Sequence, residues 1–136
     1  MAGISGGDAA GRDRLGRVGL RVLVATLMFI HGTYRLKAGG VAPLGSWLSE
    51  LGFPGGSAIA WGITLFEIIG GALLAAGIWV VPLALVLMVE LAMGIALVHA
   101  PEGWFVVGGG RNGMEYSVLL IGALAVVALQ HKKGER

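Results

Sequence analysis

Apolar positions come in long uninterrupted blocks along this chain, and the charged ones collect in the segments between them. Windows of about 19 residues that hold almost no charge predict four helices. These run roughly over 18–36, 57–78, 81–99 and 113–130. At 1.5 Å per residue each block extends about 30 Å, the thickness of a bilayer's hydrocarbon layer. Alternation of period two, which a membrane β-barrel requires, is absent. The pattern predicts an all-α membrane protein, a four-transmembrane-helix antiparallel bundle.

The connections differ in kind. The first, KAGGVAPLGSWLSELGFPGG, is long; within it Leu44 to Leu51 reads as a short interfacial helix with Trp47 at headgroup depth. The second, GIWVVP, places Gly77 and Pro82 as stop and restart signals, and its shortness forces antiparallel neighbours. The third, APEGWFVVGGGRN, carries Trp104 and Phe105 before a triple glycine. No linker and no fixed-period repeat divides the chain. The organisation is therefore one transmembrane domain over 16–130, between tails at 1–15 and 131–136. Trp47, Trp61, Trp79, Trp104 and Tyr34 read as aromatic-belt anchors.

Composition removes the alternatives. With 56% hydrophobic and 13% charged residues the chain lies far from the norm of soluble domains and equally far from that of disordered ones. Twenty-five glycines show no three-residue period and suit close helix packing in lipid. No cysteine is present, so disulfides, thiolate metal sites and thiol catalysis are excluded. The basic residues cluster at both ends, as Arg12, Arg14, Arg17 and Arg21, then Lys132, Lys133 and Arg136. An even number of spans puts both termini on one side, and this charge bias makes that side cytoplasmic in a bacterial-type inner membrane. The first span has no small-residue cleavage site and is not read as a signal peptide. Phosphate cradles, dinucleotide fingerprints and aromatic–basic nucleic-acid patches are missing.

Ionisable residues at membrane depth are the candidates for function, because a charge there is costly to insert. His31, Arg35, Glu67, His99 and Glu115 come from four different helices and collect toward one end of the bundle. They predict a polar pocket opening outward, suited to a quinone or to proton transfer. Glu67 shares a helix face with Ala60, Thr64, Gly70 and Gly71, small residues that suit an interior contact. Glu115 shares one with Leu119 and Gly122, and His99 with Ala92, Ile95 and Ala96. Glu90 precedes His99 by nine residues, which at 100° per residue puts it on the opposite face. Glu90, Gly71 and Gly94 are accordingly expected at helix or partner contacts. No H-x-x-E or E-x-x-H spacing places two ligands on one helix, so no metal is expected.

The string R-x-L-V-x(4)-F-I-H-G-T-Y-R-L from Arg21 to Leu36 resembles the opening helix of the DoxX family. L-G-F-P (Leu51 to Pro54), E-I-I-G-G-A-L-L-A-A-G-I (Glu67 to Ile78), V-H-A-P-E-G-W-F (Val98 to Phe105) and G-x-E (Gly113 to Glu115) extend the resemblance. Two segments depart from the family pattern: W-V-V-P after the second span and the ending L-Q-H-K-K-G-E-R. The resemblance implies a small four-helix integral membrane protein of a group linked to quinone-coupled oxidation and redox-stress complexes. His31, Arg35, Glu67, Gly71, His99 and Glu115 are the positions that match its motifs. The expected role is an accessory or structural component of a larger membrane redox complex, with the bilayer and other membrane subunits as partners. A quinone-linked redox subunit and a small proton-coupled transporter are the alternatives. No intrinsic cofactor is expected beyond a possible quinone, and no nucleic acid.

Overall fold

The computed structural model describes residues 6–134. It is helical, and no strand occurs among the described residues. The elements are α1 (Gly6–Lys37), α2 (Val41–Glu50), α3 (Gly56–Ala75), α4 (Val80–Gly94) and α5 (Glu115–Gln130). Beyond Gly94, α4 continues as a π-helical turn, Ile95–His99, and a 3₁₀ turn, Ala100–Glu102. Three segments are long and apolar enough to cross a membrane, at Gly7–Lys37, Gly56–Ala75 and Val80–Glu102. The fourth apolar helix, α5, is shorter, at 16 residues. It starts at Glu115 because Gly113 and Met114 turn their N–H groups back to Phe105 and Gly103.

α1 begins at Gly6 rather than at Val18, so the described part of the expected tail is helical. The segment DAAGRDRLGR contains alanine, arginine and leucine, which favour helix, and no proline to end it. Between α3 and α4 the chain reverses through Gly77, at φ 76°, and Trp79, at φ 48°.

α1 packs along α3 and α4 along α5, while contacts of α3 with α4 and of α1 with α5 complete the arrangement. The main core lies in the half nearer the chain termini, where Val24, Ala25 and Met28 of α1 meet Leu74 of α3. Leu83, Ala84 and Leu87 of α4 and Leu120 and Leu124 of α5 complete it. A smaller cluster of Val41, Leu48 and Ala60 seats α2 on α3. The outward faces carry large apolar side chains such as Leu23, Ile30, Ile69, Leu85, Val89 and Leu129. In water these would form an unusual exposed surface; in lipid they are solvated.

The α1–α3 seam depends on two glycines. A Cβ on Gly71 would stand 3.0 Å from the Ala25 carbonyl oxygen, and one on Gly32 would stand 2.8 Å from Glu67 Cβ. Both distances fall below ordinary contact, so bare Cα atoms let the helices meet. Gly32→Ala is therefore expected to wedge α1 from α3 at Glu67 and to cost about 1–3 kcal/mol. Reversible unfolding in mixed micelles checks this, with Gly62→Ala, where a Cβ meets nothing within 4 Å, as the neutral control.

Candidate functional site

Beyond the main core the two helix pairs separate around a cavity of about 800 Å³. Its walls are mostly apolar, with Met28, Leu44, Phe53, Phe66, Leu97 and Leu120 among them. The polar exceptions are His31, Arg35, Glu67, Glu90, His99, Asn112, Tyr116 and Ser117.

One ion pair organises the polar end. Arg35 donates from Nη1 to Glu67 Oε2 at 2.5 Å and from Nη2 to Oε1 at 3.2 Å, a two-pronged contact. Nη1 also reaches Thr64 Oγ1 at 3.3 Å, while the Thr64 hydroxyl donates to the Ala60 carbonyl at 2.8 Å. Thr64, Glu67 and the small residues Ala60, Gly70 and Gly71 are all buried, so the α3 face read as interior does point inward. Gly32 permits this geometry, because any side chain there would press on Glu67. His31 lies one turn from Arg35 and lines the cavity. Among the described residues it has no hydrogen-bond partner.

Glu90 corrects the sequence reading. It was expected on the face opposite His99, in contact with a partner or another helix; instead both residues line the cavity. Its carboxyl comes against that of Glu67, with the Arg35 charge in range. The cause is the π turn at Ile95–His99, which takes up one extra residue. The nine steps then count as about eight, and the separation falls from about 180° to about 80°. For the same reason Ala92 and Ala96, expected to share the face of His99, are exposed. Gly94 was expected at a close helix contact, yet it too lines the cavity. The nearest atom to a Cβ there is His99 Cδ2 at 4.0 Å.

Glu115 lies outside the cavity lining, contrary to its expected place in the pocket. Its Oε1 accepts the Val106 N–H at 2.7 Å and so holds the loop before α5. Leu119 and Gly122, on its helix face, are exposed, which shows that this face turns outward. The cavity side of α5 is formed by Tyr116, Ser117 and Leu120. His99 combines two positions, lining the cavity while its Nδ1 donates to the Asn112 carbonyl at 2.8 Å.

Trp47, expected at headgroup depth, also lines the cavity, because α2 lies against α3. Arg21, read as an orientation charge and as the first residue of the DoxX-like string, is buried and donates from Nη2 to the Ala75 carbonyl at 3.4 Å. A cation is favoured there by the C-terminal end of α3. Asn112, Tyr116 and Ser117 had no sequence signal, since each is an ordinary polar residue near a helix end.

A family model for DoxX matches residues 16–100. The chain belongs to the DoxX family. No curated protein and no solved structure matches it. The DoxX match takes in His31, Arg35, Glu67, Glu90 and His99, and thus the polar centre of the cavity. Asn112, Tyr116 and Ser117 lie beyond the matched residues.

Proposed function

We propose that this DoxX protein is a four-span subunit of the inner membrane with both termini cytoplasmic, and that its cavity receives a quinone within a larger redox complex. The observation that carries the reading is an apolar cavity of about 800 Å³ that ends on Arg35, Glu67, Glu90 and His31. Ligand sites of this size are mostly apolar with a few polar groups that fix orientation. A quinone ring needs hydrogen-bond donors at its carbonyl oxygens and a proton route to them. His31 offers a ring nitrogen without a hydrogen-bond partner among the described residues, and the Arg35 guanidinium, held by Glu67, offers a fixed array of N–H donors. One guanidinium balances one carboxylate, so the second carboxyl of the Glu67–Glu90 pair is matched by a proton or by a cation.

A quinone in this cavity supplies the couple that takes up two electrons and two protons. The chain's own side chains position it and carry protons; electrons enter from a partner subunit with a redox centre. The size of the cavity and the polar side chains on its apolar wall favour the quinone-linked reading over a purely structural accessory role. Titration of the liposome-reconstituted protein with decylubiquinone, followed by tryptophan quenching, tests it, because Trp47 lines the cavity. Saturable binding is expected in the wild type, weakened tenfold or more in His31→Ala, equivalent to about 1.4 kcal/mol. Quenching that never saturates overturns the reading. Gentle detergent extraction with mass identification of copurifying subunits tests membership of a complex.

A further inference from the structure

We infer that the cavity opens sideways into the bilayer between α3 and α4, with Gly62 and Val89 on its rim, so that a ligand arrives from lipid and leaves its tail there. The identity of the ligand rests on the quinone reading above; the opening itself rests on how the two helices diverge.

Near their connecting turn α3 and α4 are in contact: a Cβ on Gly70 would lie 3.5 Å from Leu83 Cδ2, and Leu74 and Leu83 share the core. Farther from the turn the same sides of these helices line the cavity instead, with Gly62 and Phe66 on α3 and Val86, Val89 and Met93 on α4. At 100° per residue Gly62 lies about 140° round α3 from buried Glu67, and Val89 about 160° round α4 from buried Leu87. Gly70 and Leu83, which mark where the helices adjoin, are displaced in the same rotational sense. The wall therefore continues from the interior to the outer surface along this seam. Gly62, Val86, Val89 and Met93 are exposed as well as cavity-lining. Nothing lies within 4 Å of a Cβ placed on Gly62, so the gap is open at that point.

His31 and Tyr116 are also exposed and cavity-lining, but they sit differently. Each lies within about 60° of the buried stripe of its helix, at Met28 and Leu120, so its exposure is to the cavity. The α1–α3 side is shut by the Gly32 and Gly71 contacts. Toward the helix ends the loop bearing Val106 and Asn112 lies across the cavity, tied by His99 and Glu115.

Gly62 lies six residues into α3, about 9 Å along a membrane-spanning helix. An opening at that depth admits molecules dissolved in the acyl chains. The ligand it fits is an amphiphile with a flat hydrogen-bonding head and an apolar tail, the head against Arg35 and the tail past Gly62.

The chain has no cysteine, so single cysteines at Gly62 and Val89 can carry a spin label in liposomes. Both Gly62→Cys and Val89→Cys labels are expected to relax with oxygen and to be inaccessible to a water-soluble nickel chelate, whereas a Val107→Cys label in the loop is reached by the chelate. Chelate access at Gly62 overturns the lateral opening. Gly62→Phe is expected to slow decylubiquinone association at least tenfold, while Gly122→Phe, also in open space, leaves it unchanged. An unaltered association rate in Gly62→Phe, with wild-type binding intact, likewise overturns the opening. If the labels are lipid-facing and the wild type binds no quinone, the opening stands and the quinone reading alone fails.

Discussion

Arg35→Leu is expected to destabilise the folded protein by about 3–5 kcal/mol, the range for removing one partner of a buried ion pair. The reason lies in what remains. Glu67 is buried and both of its oxygens are bonded to the guanidinium, so the substitution strands a carboxyl at membrane depth. Glu90 is already against it and adds a second acidic group without a counter-charge. Thr64 loses the donor to its hydroxyl oxygen at the same time. Arg35→Lys keeps the charge but not the planar fork, and falls between wild type and Arg35→Leu. The double variant Arg35→Leu with Glu67→Leu recovers part of the loss, because the stranded Glu67 carboxyl is gone and Glu90 alone is left without a counter-charge. Unfolding in mixed micelles across this set together with Glu67→Leu alone, read as a double-mutant cycle, checks the account. Equal losses in the single and double variants would show that packing, not charge, carries the effect.

Insertion of one alanine after Ala96 is expected to change the site more than the stability. The π turn at Ile95–His99 already holds one residue more than an α-helix needs, so a second extra residue is carried on into the helix. Residues after the insertion then swing by about 100° relative to those before it, and Glu90 and His99 stand about 180° apart instead of about 80°. His99 leaves the cavity wall and its ring leaves the Asn112 carbonyl, a bond whose net worth is about 0.5–1.5 kcal/mol. The loop that lies across the cavity is thus released at one of its two side-chain ties, the other being Glu115 to Val106. Amide exchange in 103–113 should accelerate up to about tenfold, the equivalent of 1.4 kcal/mol. Quinone affinity, where present, should fall by a similar factor, while the unfolding midpoint stays close to wild type. Deletion of Ala96 removes the extra residue, leaves eight regular steps and the same separation of about 80°, and serves as the control. Unchanged loop exchange after the insertion would show that the count through the π turn does not set the position of His99.

The blocks of apolar sequence were enough to indicate a helical membrane protein, since length and the absence of charge translate directly into a helix that lipid accepts. The motif strings from Arg21 to Glu115 were enough for the DoxX family. Arg35 and Glu67 could be placed together from depth and face alone: each sits on a regular α-helix, where counting at 100° per residue holds. The small residues around Glu67 marked the buried side, because close helix approach needs them. Counting failed where the helix was not regular. Glu90 was assigned away from His99 because no residue pattern in I-A-L-V-H announces a π turn. Glu115 was assigned to the pocket because Gly122 looked like an interior contact, although that glycine has open space beside it.

What the sequence alone determined here is a helical membrane protein with Arg35 and Glu67 turned to one pocket, a consequence of local composition and constant helical pitch. The tertiary structure alone decided that Glu90 joins Glu67, that Trp47 and α2 wall the cavity, and that α3 and α4 part beyond Leu74 and Leu83. Those features depend on one extra residue in a helical turn and on how far two packed helices diverge. Neither quantity is carried by any single side chain; both emerge when whole helices settle against one another.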